Sequence, residues 1–132
     1  MFLNRLTYEE KEAFLSLAHH VAHSDNNLTK DEELVIDKYS MEMQMDDIEY
    51  DEAQFDLVDV LSKFKQDSHK KIALLEIMAL VYADGVVAQE EDNLIKTMIS
   101  QFDLNPNLAI VYREWSKSIL SLFVQGEALI HL

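Results

Sequence analysis

Residues that interrupt helices are scarce in this chain. Only two glycines and one proline occur among its 132 residues, so few positions force a turn or end a helix. Apolar residues recur at intervals of three and four, as in the segment that carries Phe14, Leu17 and Val21. Alternating apolar and polar runs with hairpin dipeptides, which would indicate strands, do not occur. The chain is therefore predicted to be all-α.

Short capping motifs predict where the helices begin and end. The sequences TYEE, from Thr7 to Glu10, and TKDE, from Thr29 to Glu32, are capping boxes, in which the first and fourth side chains bond each other's backbone N–H groups. The first helix is expected to run to about His23. Asn105 followed by Pro106 predicts the start of the last helix, and Gly126 predicts its end.

Six such segments predict a helical bundle. A chain of this length fits a single domain, residues 1–132, with six to seven helices. Three helices lie on each side of the middle of the chain, which indicates two pseudo-repeated three-helix halves at about residues 7–65 and 67–126. The aromatic side chains of the last helix, Tyr112, Trp115 and Phe123, are expected in the core.

A short internal repeat supports the two halves. The segments 22–36 and 81–95 align with an offset of 59 residues. The matched pairs are Asp25 with Asp84, Asn26 with Gly85, Leu28 with Val87, and Glu32 with Glu91. Asn and Gly both accept the left-handed conformation that ends a helix. Each copy therefore reads as a helix end, a short loop and an acidic helix start.

The paired carboxylates are the candidate functional residues. A carboxylate in the last turn of a helix opposes the macrodipole, at a cost of about 0.3–1 kcal/mol, so Asp25 and Asp84 need compensation. Loop N–H groups can supply it, and so can a bound cation, because hard divalent cations prefer oxygen ligands. Asp84, Glu91, Asp25 and Glu32 are thus a candidate metal site. In the purely structural alternative the two glutamates only cap helices and the two aspartates only bond loop backbone.

The second copy of the repeat resembles a known signature. Ala83, Asp84, Gly85, Val87 and Glu91 are similar to the motif of the TerB-like tellurite-resistance family. The resemblance implies a small all-helical domain with internal repeats, linked to tellurite and other stress resistance in bacteria. It also implies that acidic residues bind divalent metal, which for this chain means Ca²⁺, Mg²⁺, Mn²⁺ or Zn²⁺. The first copy departs from the motif, since Asn26 stands where the second copy has Gly85.

The strong negative charge narrows the classes of partner. The formal net charge is −14, which argues against nucleic acids and anionic membrane surfaces and suits cations or basic proteins. No segment approaches the roughly 20 apolar residues of a membrane span, and no signal peptide is recognisable. A cytoplasmic protein is expected. The oligomeric state is left open by the sequence.

A histidine cluster gives a weaker alternative metal site. His19 and His23 lie one helical turn apart on the same face, and with Asp25 they offer ligands that suit Zn²⁺ or Ni²⁺. The second half of the repeat has no matching histidines, and surface histidines are the simpler interpretation.

Three functions follow from these observations. The first is a non-enzymatic stress-response domain that binds divalent cation through its acidic loops. The second is a metal-free acidic module that binds other proteins. The third and weakest is a metal-dependent hydrolase that uses the histidine cluster. With no cysteine in the chain, thiol catalysis and thiolate metal sites are excluded.

Overall fold

The computed structural model describes residues 1–23, 30–82 and 87–132, with the backbone alone for residues 30–32. In this part of the chain all regular structure is helical, which confirms the predicted all-α class. A 3₁₀ helix at Leu3–Arg5 precedes the α-helices. These are α1 (Tyr8–His23), α2 (Lys30–Met43), α3 (Leu57–Leu61), α4 (Asp67–Val81), α5 (Gln89–Gln101) and α6 (Leu108–Ile130).

The capping box at the start of α1 is present as predicted. The Thr7 N–H donates to Glu10 Oε1 at 2.8 Å, and the Glu10 N–H donates to Thr7 Oγ1 at 3.2 Å. The helix then begins at Tyr8 and ends at His23. The predicted start of α1 is therefore confirmed, because the reciprocal bonds satisfy N–H groups that have no partner within the helix. The residues after His23 lie outside the described part of the chain. The second box includes Thr29, which lies outside the described residues.

The contacts of the chain group into two compact units, Met1–Ile77 and Met78–Leu132. The single domain with halves at 7–65 and 67–126 stays a prediction, and so does the pseudo-repeat. None of the described helices has the length and apolar character that crossing a membrane requires.

Helix α1 organises the core of the first unit. It packs against α2 and α3, and its inward face buries Phe14, Leu15, Leu17 and Ala18. The ring of Phe14 meets Tyr39 of α2 edge to face, with 5.2 Å between the centroids and 82° between the planes. This arrangement is favourable for aromatic pairs and fixes α2 against α1.

One buried hydrogen bond between side chains joins α1 to α4. Glu10 is 2% exposed, and its Oε1 accepts a hydrogen bond from His69 Nδ1 at 2.7 Å. The same carboxylate also accepts the Thr7 N–H of the capping box. A single side chain thus caps α1 and connects it to the first turn of α4.

In the second unit, α5 is half-buried and α6 is largely open. The buried face of α5 consists of Leu94, Ile95, Met98 and Ile99. By contrast, Ser116 is the one residue of α6 that is fully buried within the described structure.

Three sequence-based predictions about α6 differ from the structure. The helix does not end at Gly126 but continues to Ile130, because one glycine inside a helix costs only about 0.5–1 kcal/mol relative to alanine. Phe123 is exposed rather than part of the core, while Tyr112 and Trp115 are half-buried. The helix also begins at Leu108 rather than at Pro106. Asn105 precedes it and accepts the Asn107 N–H at 2.9 Å.

Candidate functional site

Glu91 lies at the start of α5 and closes its first turn. Its Oε1 accepts the Ala88 N–H at 3.0 Å, which is half of a capping box, since Ala88 has no hydroxyl to return the bond. Glu90 and Asp92 flank it in the same turn, where the positive end of the helix macrodipole stabilises carboxylates by about 0.3–1 kcal/mol each. The Glu91 carboxylate therefore lies at the N-terminal end of α5, the end that follows Asp84 in the sequence. Val87, which matches Leu28 in the first copy of the repeat, is half-buried.

The other predicted acidic ligands fall in parts of the chain that the structure does not describe. Asp25 and Asp84 lie outside the described residues, and so does the side chain of Glu32. The meeting of all four carboxylates at one place stays a prediction. In the described part of the chain, no three His, Asp or Glu side chains are arranged to hold a metal ion.

The histidines of α1 pack against the segment that connects α2 to α3. His19 Nε2 donates to both carboxylate oxygens of Asp47, at 2.9 and 3.0 Å. His23 Nδ1 donates to the His19 carbonyl at 2.6 Å. The ring of Tyr50 stacks on both of these imidazoles, with centroid distances of 5.6 Å to His19 and 4.8 Å to His23.

His20 extends this cluster to a second aromatic ring. Its imidazole stacks on Phe55 at 4.2 Å with 9° between the planes, and its Nδ1 hydrogen-bonds with the Tyr50 hydroxyl at 3.2 Å. Sequence spacing predicted a metal site at His19, His23 and Asp25, and this stays a prediction because Asp25 lies outside the described residues. The contacts of the imidazoles with residues 50–55 had no local signal in the sequence, because these aromatic partners are distant along the chain.

Acid is expected to weaken the first unit through His20. Burial lowers the pKa of His20 below its usual 6.5, opposed by the charge of Glu52 and reinforced by that of His23. The unfolded chain therefore binds this proton more readily than the folded one, so stability is lost as pH falls below about 6.5. His20→Phe keeps a ring against Phe55 and removes the titration.

Urea unfolding between pH 7.5 and 5 checks this prediction. The difference in unfolding free energy between the native chain and His20→Phe should move in favour of the variant as the pH falls. Two curves that stay parallel over the whole range would show that His20 titrates alike in both states.

A cavity of about 530 Å³ lies within the second unit. Its walls include Ile95 and Ile99 of α5 and Ile110 of α6. The charged groups around it are Asp92, Lys96, Asp103 and Arg113, and these sum to zero. Lys96 and Asp92 pair with each other at 3.0 Å. The volume falls in the range of small-molecule pockets, but its balanced charge does not select a class of ligand.

Comparison with known proteins decides the family. The family model described as "Tellurite resistance protein TerB" matches residues 42–113, more than half of the chain. The chain belongs to the TerB family. No curated protein and no solved structure gives a significant match.

The TerB match covers only one copy of the acidic motif. It begins at the end of α2 and ends in α6, so it includes Asp84 and Glu91. Asp25 and Glu32 precede it. The resemblance seen in the sequence around Ala83–Glu91 is thereby confirmed at the level of the family.

Proposed function

We propose that this TerB-family chain is a non-enzymatic stress-response domain of the bacterial cytoplasm that binds a divalent cation through its second acidic motif. The observation that carries the proposal is the family match, which includes Asp84 and Glu91. Asp84 is the main ligand and Glu91 the accessory one. Asp25 and Glu32 join them only if the two loops face each other.

The chemistry near Glu91 supports an oxygen-ligated cation. Glu91 lies in the first turn of α5, and its carboxylate accepts the Ala88 N–H. It follows Asp84 by seven residues in the sequence. Carboxylate oxygens suit Ca²⁺, Mg²⁺ and Mn²⁺, and they also bind Zn²⁺. Gly85 next to Asp84 permits close approach of the backbone to a ligand. A net charge of −14 raises the local concentration of cations.

The absence of enzymatic activity is part of the proposal. The hydrolase alternative depends on His19 and His23, and both imidazoles already make hydrogen bonds within the first unit. An activity screen against ester and phosphate substrates, with and without added metal, should give no turnover. Turnover that disappears in His19→Gln would favour the hydrolase instead.

Calorimetric titration with Ca²⁺, Mg²⁺, Mn²⁺ and Zn²⁺ tests the metal proposal. The native chain should bind at least one of these ions weakly, with a dissociation constant of roughly 10⁻⁴–10⁻³ M, as in modest Ca²⁺ sites. Asp84→Asn removes a charged ligand but keeps a turn-forming side chain, and it should weaken binding at least about tenfold, or about 1.4 kcal/mol.

Glu90→Gln is the matched control for this titration. Glu90 is an exposed carboxylate in the same first turn of α5, so the variant loses the same charge at nearly the same place. Its affinity should stay within about twofold of the native value, because screening by water and salt weakens exposed charges. Equal losses of metal affinity in both variants would show that Asp84 attracts the cation only through its charge and does not bind it as a ligand. A native chain that binds nothing at millimolar metal would favour the metal-free protein-binding module.

A further inference from the structure

The second half of α6 presents an apolar patch that nothing in the described structure covers. Gly126 lies at its centre. Leu122 and Phe123 lie four and three residues before it and are 58% and 57% exposed. Leu129 and Ile130 lie three and four residues after it and are 67% and 76% exposed. Residues at these spacings share one face of a helix. Four large apolar side chains thus surround a position that has no side chain.

This patch is unusual for the surface of such an acidic chain. Residues 118–132 contain one carboxylate, Glu127, and no Lys or Arg, while the whole chain carries −14. Contiguous exposed apolar patches of this kind mark interaction surfaces. The near absence of charge argues against a basic partner at this place, since such a partner would find almost no acidic group to pair with.

We infer that this patch binds a second copy of the same chain, with two α6 helices crossing at Gly126. The patch is symmetric along the helix, because large apolar side chains lie at equal distances on both sides of Gly126. An antiparallel twofold crossing therefore places Leu122 and Phe123 of one copy against Ile130 and Leu129 of the other. Twofold interfaces require this self-complementarity.

Gly126 makes the close approach of the two helices feasible. A Cβ built at this position meets nothing within 4 Å, so the space above the backbone is open. Because glycine has no side chain, the two backbones can come closer together at Gly126 than at any other type of residue. The neighbouring side chains then interdigitate around the crossing, as ridges pack into grooves between helices.

The patch offers a limited area for association. When two copies pair, the four exposed side chains of each copy can together bury on the order of 800 Å² of accessible surface. This total lies below the standard size of stable interfaces. An interface of this size is typical of weak, transient association. Like charges elsewhere on the two copies repel, so added salt strengthens the association by screening them.

Sedimentation equilibrium from about 5 to 500 μM protein, at low and high salt, tests this inference. The native chain should shift from monomer to dimer over this range, and more readily at high salt. Leu122→Lys should weaken the association at least tenfold. The control is Val124→Lys, the same kind of change at a residue that is 71% exposed but lies about 200° around the helix from Leu122. It should leave the association within about twofold of the native value.

A second variant separates interface effects from folding effects. Gly126→Leu improves helix propensity and adds apolar surface, so a merely structural role predicts equal or greater helicity and unchanged or stronger association. The crossing at Gly126 predicts instead that the well-folded variant associates at least tenfold more weakly. A native chain that stays monomeric at 500 μM, equal effects of Leu122→Lys and Val124→Lys, or undiminished association of Gly126→Leu would each overturn the inference.

Discussion

Glu10→Ala is expected to lower the free energy of unfolding by about 3–5 kcal/mol, because two buried hydrogen bonds to a carboxylate are lost and each contributes about 1.5–3 kcal/mol. The carboxylate is 2% exposed and accepts hydrogen bonds from the Thr7 N–H at 2.8 Å and from His69 Nδ1 at 2.7 Å. Alanine removes Oε1, the one oxygen that accepts both bonds. It leaves the first turn of α1 without its cap and His69 without its buried partner.

Two controls identify the source of this loss. Glu10→Gln retains an acceptor oxygen for Thr7 and His69, so it should cost less than half as much. Glu9→Ala removes a neighbouring exposed carboxylate whose contact is Lys63 at 3.5 Å, and it should change the stability by no more than about 0.5 kcal/mol. Urea unfolding with an unchanged m-value gives all three numbers. A Glu10→Ala loss as small as that of Glu9→Ala would contradict the buried pair.

Phe14→Ala should have an effect of similar size for a different reason. Phe14 is fully buried in the face of α1 that packs against Tyr39, and removal of a core phenylalanine costs about 3–5 kcal/mol. Phe123→Ala, the same chemical change on α6, removes a ring that is 57% exposed. It should cost less than about 1 kcal/mol at protein concentrations low enough to keep the chain monomeric.

This pair of variants also tests the correction to the sequence-based core. If Phe123→Ala cost as much as Phe14→Ala, Phe123 would be a core residue, as its helical spacing predicted. Thermal unfolding monitored by circular dichroism at about 222 nm reports both changes, since the protein is helical.

Local signals in the sequence were sufficient for the start and the buried face of α1. The start of α1 was predicted because a capping box forms within four residues, Thr7 to Glu10, and depends on nothing outside them. The apolar period identified the buried face that carries Phe14. These features require only neighbouring residues, so a single sequence contains them in full.

The errors on α6 have a different origin. Helical spacing shows that a helix has an apolar face, but whether another element covers that face is a tertiary property. Leu122 and Phe123 fit the pattern of a core and are exposed. Gly126 fits a helix end, yet a single glycine costs too little to stop a helix whose neighbours favour it.

In the candidate site too, features that depend on neighbouring residues were predictable and contacts between distant residues were not. The short motif from Ala83 to Glu91 was sufficient to indicate the TerB family, and the bond from the Ala88 N–H to Glu91 followed from its position at the start of α5. The contacts of His19, His20 and His23 with Tyr50 and Phe55 could not be predicted. They join residues that are about 30 positions apart, and no local pattern encodes such a pairing.

The central claim, that the second acidic motif binds a divalent cation, can be tested most directly by paramagnetic broadening with substoichiometric Mn²⁺ in ¹H–¹⁵N spectra. The segment from Asp46 to Glu52, which holds five exposed carboxylates, is an internal control for non-specific attraction. We expect the amide signals of residues 83–92 to broaden first, and we expect Asp84→Asn to abolish this preference. Broadening that begins at residues 46–52, or at His19 and His23, would contradict the claim.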